Sequence, residues 1–128
     1  MSLFYNKIER RNPSKKDEMP KWYVSIKSIG KMKEKEVAKE LSDETTLNPK
    51  EAEMAIYQFQ KVLVKALLDG KTVQLGELGT FQVKVNSAGV DKEEQVSPDL
   101  VKKVNLHFVP SKELRKSMQD AKFTQYGK

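Results

Sequence analysis

One stretch limits what this chain can become more than any other: residues 48–70, a long helix with its start, its apolar stripe and its stop all written in. Asn48 is a good N-cap, Pro49 suits the first helical position, and Glu51 stands where its carboxylate can reach back to the cap's own amide. Ala52, Ile56, Phe59, Val62, Leu63, Ala66 and Leu67 then follow at helical spacing, and Gly70 ends the run. About twenty residues make a rod roughly 30 Å long. A shorter amphipathic helix precedes it, starting at Met32, carrying Val37, Ala38 and Leu41, and ending near residues 42–45. Together these helices have more apolar face than one thin sheet can cover, so a second copy of the chain is the expected cover.

With 128 residues, 38% hydrophobic and 33% charged, the chain fits one domain with a modest core, the kind that is often completed by a partner. There are no cysteines, which excludes disulfides, thiolate metal sites and a cysteine nucleophile. The N-terminal residues lack a leader-like apolar core, and no apolar run approaches the roughly 20 residues needed to span a bilayer. A cytoplasmic protein without a membrane span is expected. The net charge of +6 is unevenly placed: residues 1–36 hold ten Lys/Arg against five acids, 37–101 hold seven against eleven, and 102–128 hold seven against two. Positive charge at both ends suits a polyanion such as a phosphate backbone, and also suits simple solubility.

Strand patterns lie on both sides of the helices. "MSLFYNKIER" and "KWYVSIKSIG" read as two strands joined by the polar loop "RNPSKKDEMP", an N-terminal hairpin or ribbon. After Gly70, "TVQL" alternates, "GELG" turns, and "TFQVKV" sets Phe81, Val83 and Val85 on one face against Thr80, Gln82 and Lys84 on the other. A charged segment, 86–103, leads to "VNLHFVP", and "SKELRKSM" reads as a closing helix capped by Ser111. The core order is helix, helix, strand, strand, strand, helix.

The run "LNPKEAE" opening the long helix, "DGKTVQLGELGTFQV" after it, and the later "VNLHFVPSKELRK" resemble the HU and integration-host-factor family of bacterial histone-like DNA-bending proteins. The likeness covers roughly residues 32–118. Gly70, Val73, Leu75, Gly79, Thr80, Phe81, Phe108, Val109, Pro110 and Leu114 carry it, and the N-terminal strands resemble divergent members from Bacteroidetes. The resemblance implies an α+β fold: a helical hairpin base, a three-stranded antiparallel sheet with an arm, and an intertwined homodimer whose sheets form a saddle for DNA. On this reading residues 1–31 are an N-terminal β-ribbon extension, 32–120 the HU-like domain and 121–128 a C-terminal tail. The family's β-arm enters the minor groove with arginines and a proline wedge. Here "NSAGVDKEEQ" has one Lys, three acids, no arginine and no proline. An arm tip of that charge is repelled by phosphate, so a short or folded-back arm is expected.

The implied function is binding of duplex DNA with little sequence preference, shaping or compacting it at the nucleoid. Lys84, Lys102 and Lys103 on or beside the saddle strands, and Lys112, Arg115 and Lys116 on the last helix, are the expected phosphate contacts. Arg10, Arg11, Lys15 and Lys16 join them on charge alone. "RRNP" at 10–13 is open to two readings, a substitute clamp or an ordinary basic loop. Trp22 and Tyr23 beside Lys21 suit either stacking on bases or packing in a core or dimer. His107 reads as a surface residue, and Asp91, Glu93 and Glu94 as a solvated loop without cation-loop spacing. "GELG" does not open a helix, so it is no phosphate loop. No catalytic constellation, metal, cofactor or small-molecule substrate is expected. The rival reading is a dimeric protein-interaction module that kept the scaffold and lost DNA binding; the acidic arm favours it and the basic ends oppose it.

Overall fold

The computed structural model describes residues 1–15 and 17–127. The chain runs β1 (Leu3–Arg10), β2 (Lys21–Lys27), α1 (Glu34–Glu44), α2 (Pro49–Leu68), β3 (Val73–Leu75), β4 (Gly79–Ser87), β5 (Val101–Pro110), α3 (Lys112–Gln119) and β6 (Phe123–Gln125). It divides into two compact units: Glu34–Lys116, and Met1–Lys33 with Ser117–Lys128.

In the first unit the ends of α2 follow from local chemistry. The Asn48 carboxamide oxygen accepts from the Glu51 amide at 2.8 Å, and the Asn48 amide donates back to the Glu51 carboxylate at 3.4 Å, a reciprocal capping box. At the far end the Gly70 amide donates to the Leu67 carbonyl at 3.1 Å and the Lys71 amide to the Ala66 carbonyl at 3.0 Å. That Schellman pair needs the left-handed residue that Gly70 supplies, with φ +86°. Helix α1 packs against α2 with Ala38 and Ala52 buried, and small side chains let helices approach closely.

Strands β3, β4 and β5 form an antiparallel sheet in that order. Its register pairs Phe81 with Phe108, Val83 with Leu106 and Val85 with Val104, so one face is continuously apolar. The Phe81 and Phe108 rings meet at 4.8 Å. Ser111 ties the sheet to α3: its hydroxyl donates to the Glu77 carbonyl and accepts from the Leu114 amide at 3.0 Å, while its own amide donates to the Leu78 carbonyl at 3.1 Å. One residue thus caps the helix and fixes the β3–β4 turn.

The connection between β4 and β5 differs from an extended arm. Glu93–Gln95 and Pro98–Leu100 each form a single 3₁₀ turn, and the Ala88 amide donates to the Leu100 carbonyl at 2.9 Å, closing the loop at its base. Gly, Asp and Glu are poor strand formers and Pro98 sets a turn, so the ladder stops at Ser87 and Val101.

In the second unit β1 and β2 are antiparallel neighbours, and β6 lies parallel to β1 on its other side, giving the order β2-β1-β6. Within the segment expected as a tail, Phe123–Gln125 is therefore a strand. It pairs Leu3 with Phe123 and Tyr5 with Gln125, and the Tyr126 amide donates to the Tyr5 carbonyl at 2.9 Å. The backbone of β1 offers hydrogen-bonding groups on both edges, and the C-terminal strand takes the edge β2 does not.

Among the described residues, Ala38, Ala52 and Leu67 are the only buried apolar side chains. On the expected α2 stripe Phe59 and Val62 stay exposed, as do Val83, Val85, Val104 and Leu106 on the sheet.

Candidate nucleic-acid interface

The polar face of β4 and β5 follows from the same register as the apolar one. Thr80 pairs with Val109, Gln82 with His107, Lys84 with Asn105 and Asn86 with Lys103. Lys84 and Lys103 are diagonal neighbours, which sets them about 7–8 Å apart at the backbone. Both side chains are exposed. No carboxylate occupies any of these paired positions, so the face carries two cations among amides and an imidazole. Lys102 sits at the irregularity between Asn86 and Ser87, where the ladder skips a residue. Lys102 is thus the extra residue of a bulge and has no partner on β4, so its place on the ladder is not set by the alternation that fixes Lys103.

The closing helix holds Lys112, Arg115 and Lys116, all exposed and spaced three and four apart on one side. Its first turn begins beside the Gly79–Pro110 pair, at the opposite end of the β4–β5 ladder from Lys103. The expected cations of this unit are thus distributed along the sheet and past its end rather than clustered. Gln82, Asn105 and His107 stand beside them as hydrogen-bonding groups that charge and motif alone did not single out. Alternation on β5 together with the β4 pairing was the signal that could have found them.

Arg10 and Lys21 are direct partners across the β1–β2 hairpin, and Arg11 follows in the loop. That loop is shaped by Asn12, whose side-chain oxygen accepts from the Ser14 amide at 3.1 Å and the Ser14 hydroxyl at 2.7 Å. Lys15 makes an ion pair with Glu18 at 3.5 Å, both well exposed, so part of its charge is answered locally. Lys16 lies outside the described residues. The acidic residues Asp91, Glu93 and Glu94 belong to the folded-back loop between β4 and β5.

Among the described residues no group of three or more His, Asp or Glu side chains is placed to hold a metal ion. None of the described helices is long and apolar enough to cross a membrane.

No curated protein matches the chain. Of the solved structures that do, one from Bacteroides vulgatus ATCC 8482, described as a candidate bacterial DNA-binding protein, is 13% identical with a TM-score of 0.67. The match covers 98% of this chain and 48% of that one, so this chain spans about half the length of its structural neighbour. At that identity the likeness speaks for the fold alone. A family model described as an HU domain fused to wHTH, Ig, or glycine-rich motif matches residues 1–125, the N-terminal strands included. The chain belongs to this HU-domain family.

Proposed function

We propose that the protein binds duplex DNA with little sequence preference as a homodimer, and shapes or compacts it at a cytoplasmic nucleoid. The observation that carries this reading is the polar face of β4 and β5, where Lys84 and Lys103 stand among Gln82, Asn105 and His107 with no carboxylate in any paired position. Membership in an HU-domain family and a neighbour described as a candidate DNA-binding protein support DNA as the ligand. Each lysine that neutralises a phosphate releases a condensed counterion, which favours binding without reading a base. Lys102, Lys112, Arg115 and Lys116 add contacts beside that face, while Arg10, Arg11, Lys15 and Lys16 belong to the N-terminal segment and count toward DNA by their charge alone. The folded acidic loop leaves no arginine-bearing arm for the minor groove, so shaping rests on surface contact rather than a proline wedge. A homodimer is supported by the thin core and by the apolar sheet face, where Leu106 is 63% and Val104 60% exposed in one chain.

The test is a titration with unrelated duplexes at several salt concentrations. Lys103→Ala is expected to weaken all of them by similar factors and to flatten the plot of log K against log salt by about 0.9 for each phosphate left without its lysine, twice that if both protomers engage. Lys61→Ala is the control, since Lys61 stands over the Tyr57 ring of its own helix at 4.6 Å. A Lys61 effect equal to the Lys103 effect overturns the placement of DNA. Failure of the native protein to bind any duplex at low salt replaces the reading with a protein-interaction module.

A further inference from the structure

The N-terminal sheet sorts its charges by face. On one face the β1–β2 register sets Arg10 against Lys21, Ile8 against Tyr23, Asn6 against Ser25 and Phe4 against Lys27. Thr124 of β6 continues this face beside Phe4, and Tyr126 follows it. The Tyr126 ring meets Phe4 edge-on at 6.4 Å, and the Lys27 ammonium stands 5.6 Å from its centroid. The one carboxylate of these three strands, Glu9, pairs with Trp22 on the other face. The first face therefore carries three cations, two half-exposed tyrosine rings and no acid: Tyr23 is 48% exposed and Tyr126 49%.

Three features agree on what such a face can hold. Arg10 and Lys21 are like charges directly opposite one another, a pairing that destabilises a free hairpin and that a bound anion relieves. Neither they nor Lys27 has a carboxylate partner among the described residues. Along β2, Lys21, Tyr23, Ser25 and Lys27 alternate on this face, a cation at each end with a ring and a hydroxyl between them. β2 is also an edge strand. Flat rings interleaved with cations suit a phosphate chain whose bases are free to stack, and a duplex keeps its bases stacked on each other.

We propose that this face of the N-terminal sheet is a second nucleic-acid site, for single-stranded DNA or RNA. Bases stack on Tyr23 and Tyr126, while Arg10, Lys21 and Lys27 hold the phosphates. The site shares no residue with the β4–β5 face and stands independently of duplex binding there.

The experiment titrates labelled oligo(dT), and in parallel oligo(U), with the full chain at low salt. Both strands are expected to bind, since stacking uses the ring faces common to all bases, and the tighter arm names the preferred strand. Tyr23→Ala is expected to weaken binding about tenfold. Tyr23→Phe, which keeps the ring, is expected to bind as the native protein does, and duplex affinity is unchanged in both. Lys27→Gln is expected to reduce the salt slope by about 0.7, the single-strand value for one phosphate, and this arm carries the test if circular dichroism shows Tyr23→Ala to be unfolded. Native protein that binds neither oligonucleotide overturns the proposal. So does Tyr23→Ala binding as tightly as native, or losing duplex and single strand to the same extent. Lys103→Ala losing duplex alone, with oligonucleotide binding intact, separates this site from the one on β4 and β5.

Discussion

Gly79 is the residue the sheet tolerates least well in any other form. Its φ of +149° lies where side chains are strained, and a Cβ added there would stand 2.4 Å from the Val109 carbonyl oxygen and 2.9 Å from two carbons of the Phe108 ring. Val109 is backbone held in the ladder and Phe108 is packed against Phe81, so neither yields cheaply. Gly79→Ala is expected to destabilise the protein by about 1–3 kcal/mol, read as a lower urea midpoint. Gly89→Ala is the comparison: nothing lies within 4 Å of its added carbon, and an unchanged midpoint is expected. Equal midpoints for the two variants would mean the β4–β5 approach at Gly79 is not this close. Lys84 and Lys103 show the other side of residue-scale logic, because nothing in their own neighbourhoods makes them special and only the register makes them neighbours.

At the scale of elements, α2 is stabilised at both ends by bonds that its own sequence supplies, whereas the β4–β5 connection is shaped by a pair of single turns and closed at its base by the bond from Ala88 to Leu100. Its first half, residues 90–95, carries three acids, Asp91, Glu93 and Glu94, which would repel a polyanion if DNA lies on the neighbouring strands. Replacing Val90–Gln95 by a Gly/Ser linker removes those acids and one lysine, and is expected to leave duplex affinity unchanged or to raise it slightly. A large loss of binding in a gel-shift titration would show that the loop itself touches DNA. The linker keeps the ends of β4 and β5 joined, and doubling a loop's length costs only about 0.6 kcal/mol, so folding is not expected to change.

For the whole molecule, the outstanding fact is how little one chain buries. Among the described residues two alanines and a leucine make up the buried apolar core, which is small, and small domains are marginal even with a good one. The exposed Phe59 and Val62 on α2 and Val83, Val85, Val104 and Leu106 on the sheet are what a second copy would cover. Sedimentation at micromolar concentration is expected to show a dimer whose melting temperature rises with protein concentration. Phe59→Ala is expected to cost roughly 3–5 kcal/mol if that ring enters a shared core. A folded monomer, or a Phe59→Ala protein that melts as the native one does, would refute the shared core.

The helices could be read in advance because their rules are local. Asn48, Pro49, Glu51 and Gly70 act within one turn of where they sit, and the spacing of Ala52, Ile56, Phe59, Val62, Leu63, Ala66 and Leu67 declares an apolar stripe, of which one chain buries Ala52 and Leu67 and leaves Phe59 and Val62 exposed. The alternation of Phe81, Val83 and Val85 likewise declared an apolar face and, by parity, placed Lys84 on the other. Strand partners are different, since hydrogen bonds between strands form across any sequence distance and any backbone can make them. Nothing near Phe123 announces that it will pair with Leu3, and nothing near Tyr126 announces the Phe4 ring and Lys27 ammonium beside it. The bulge that leaves Lys102 without a cross-strand partner, and the pairing that sets Arg10 against Lys21, are likewise products of register. Register is settled only when whole faces compete for burial, and so the tertiary structure alone decided which cations share a surface.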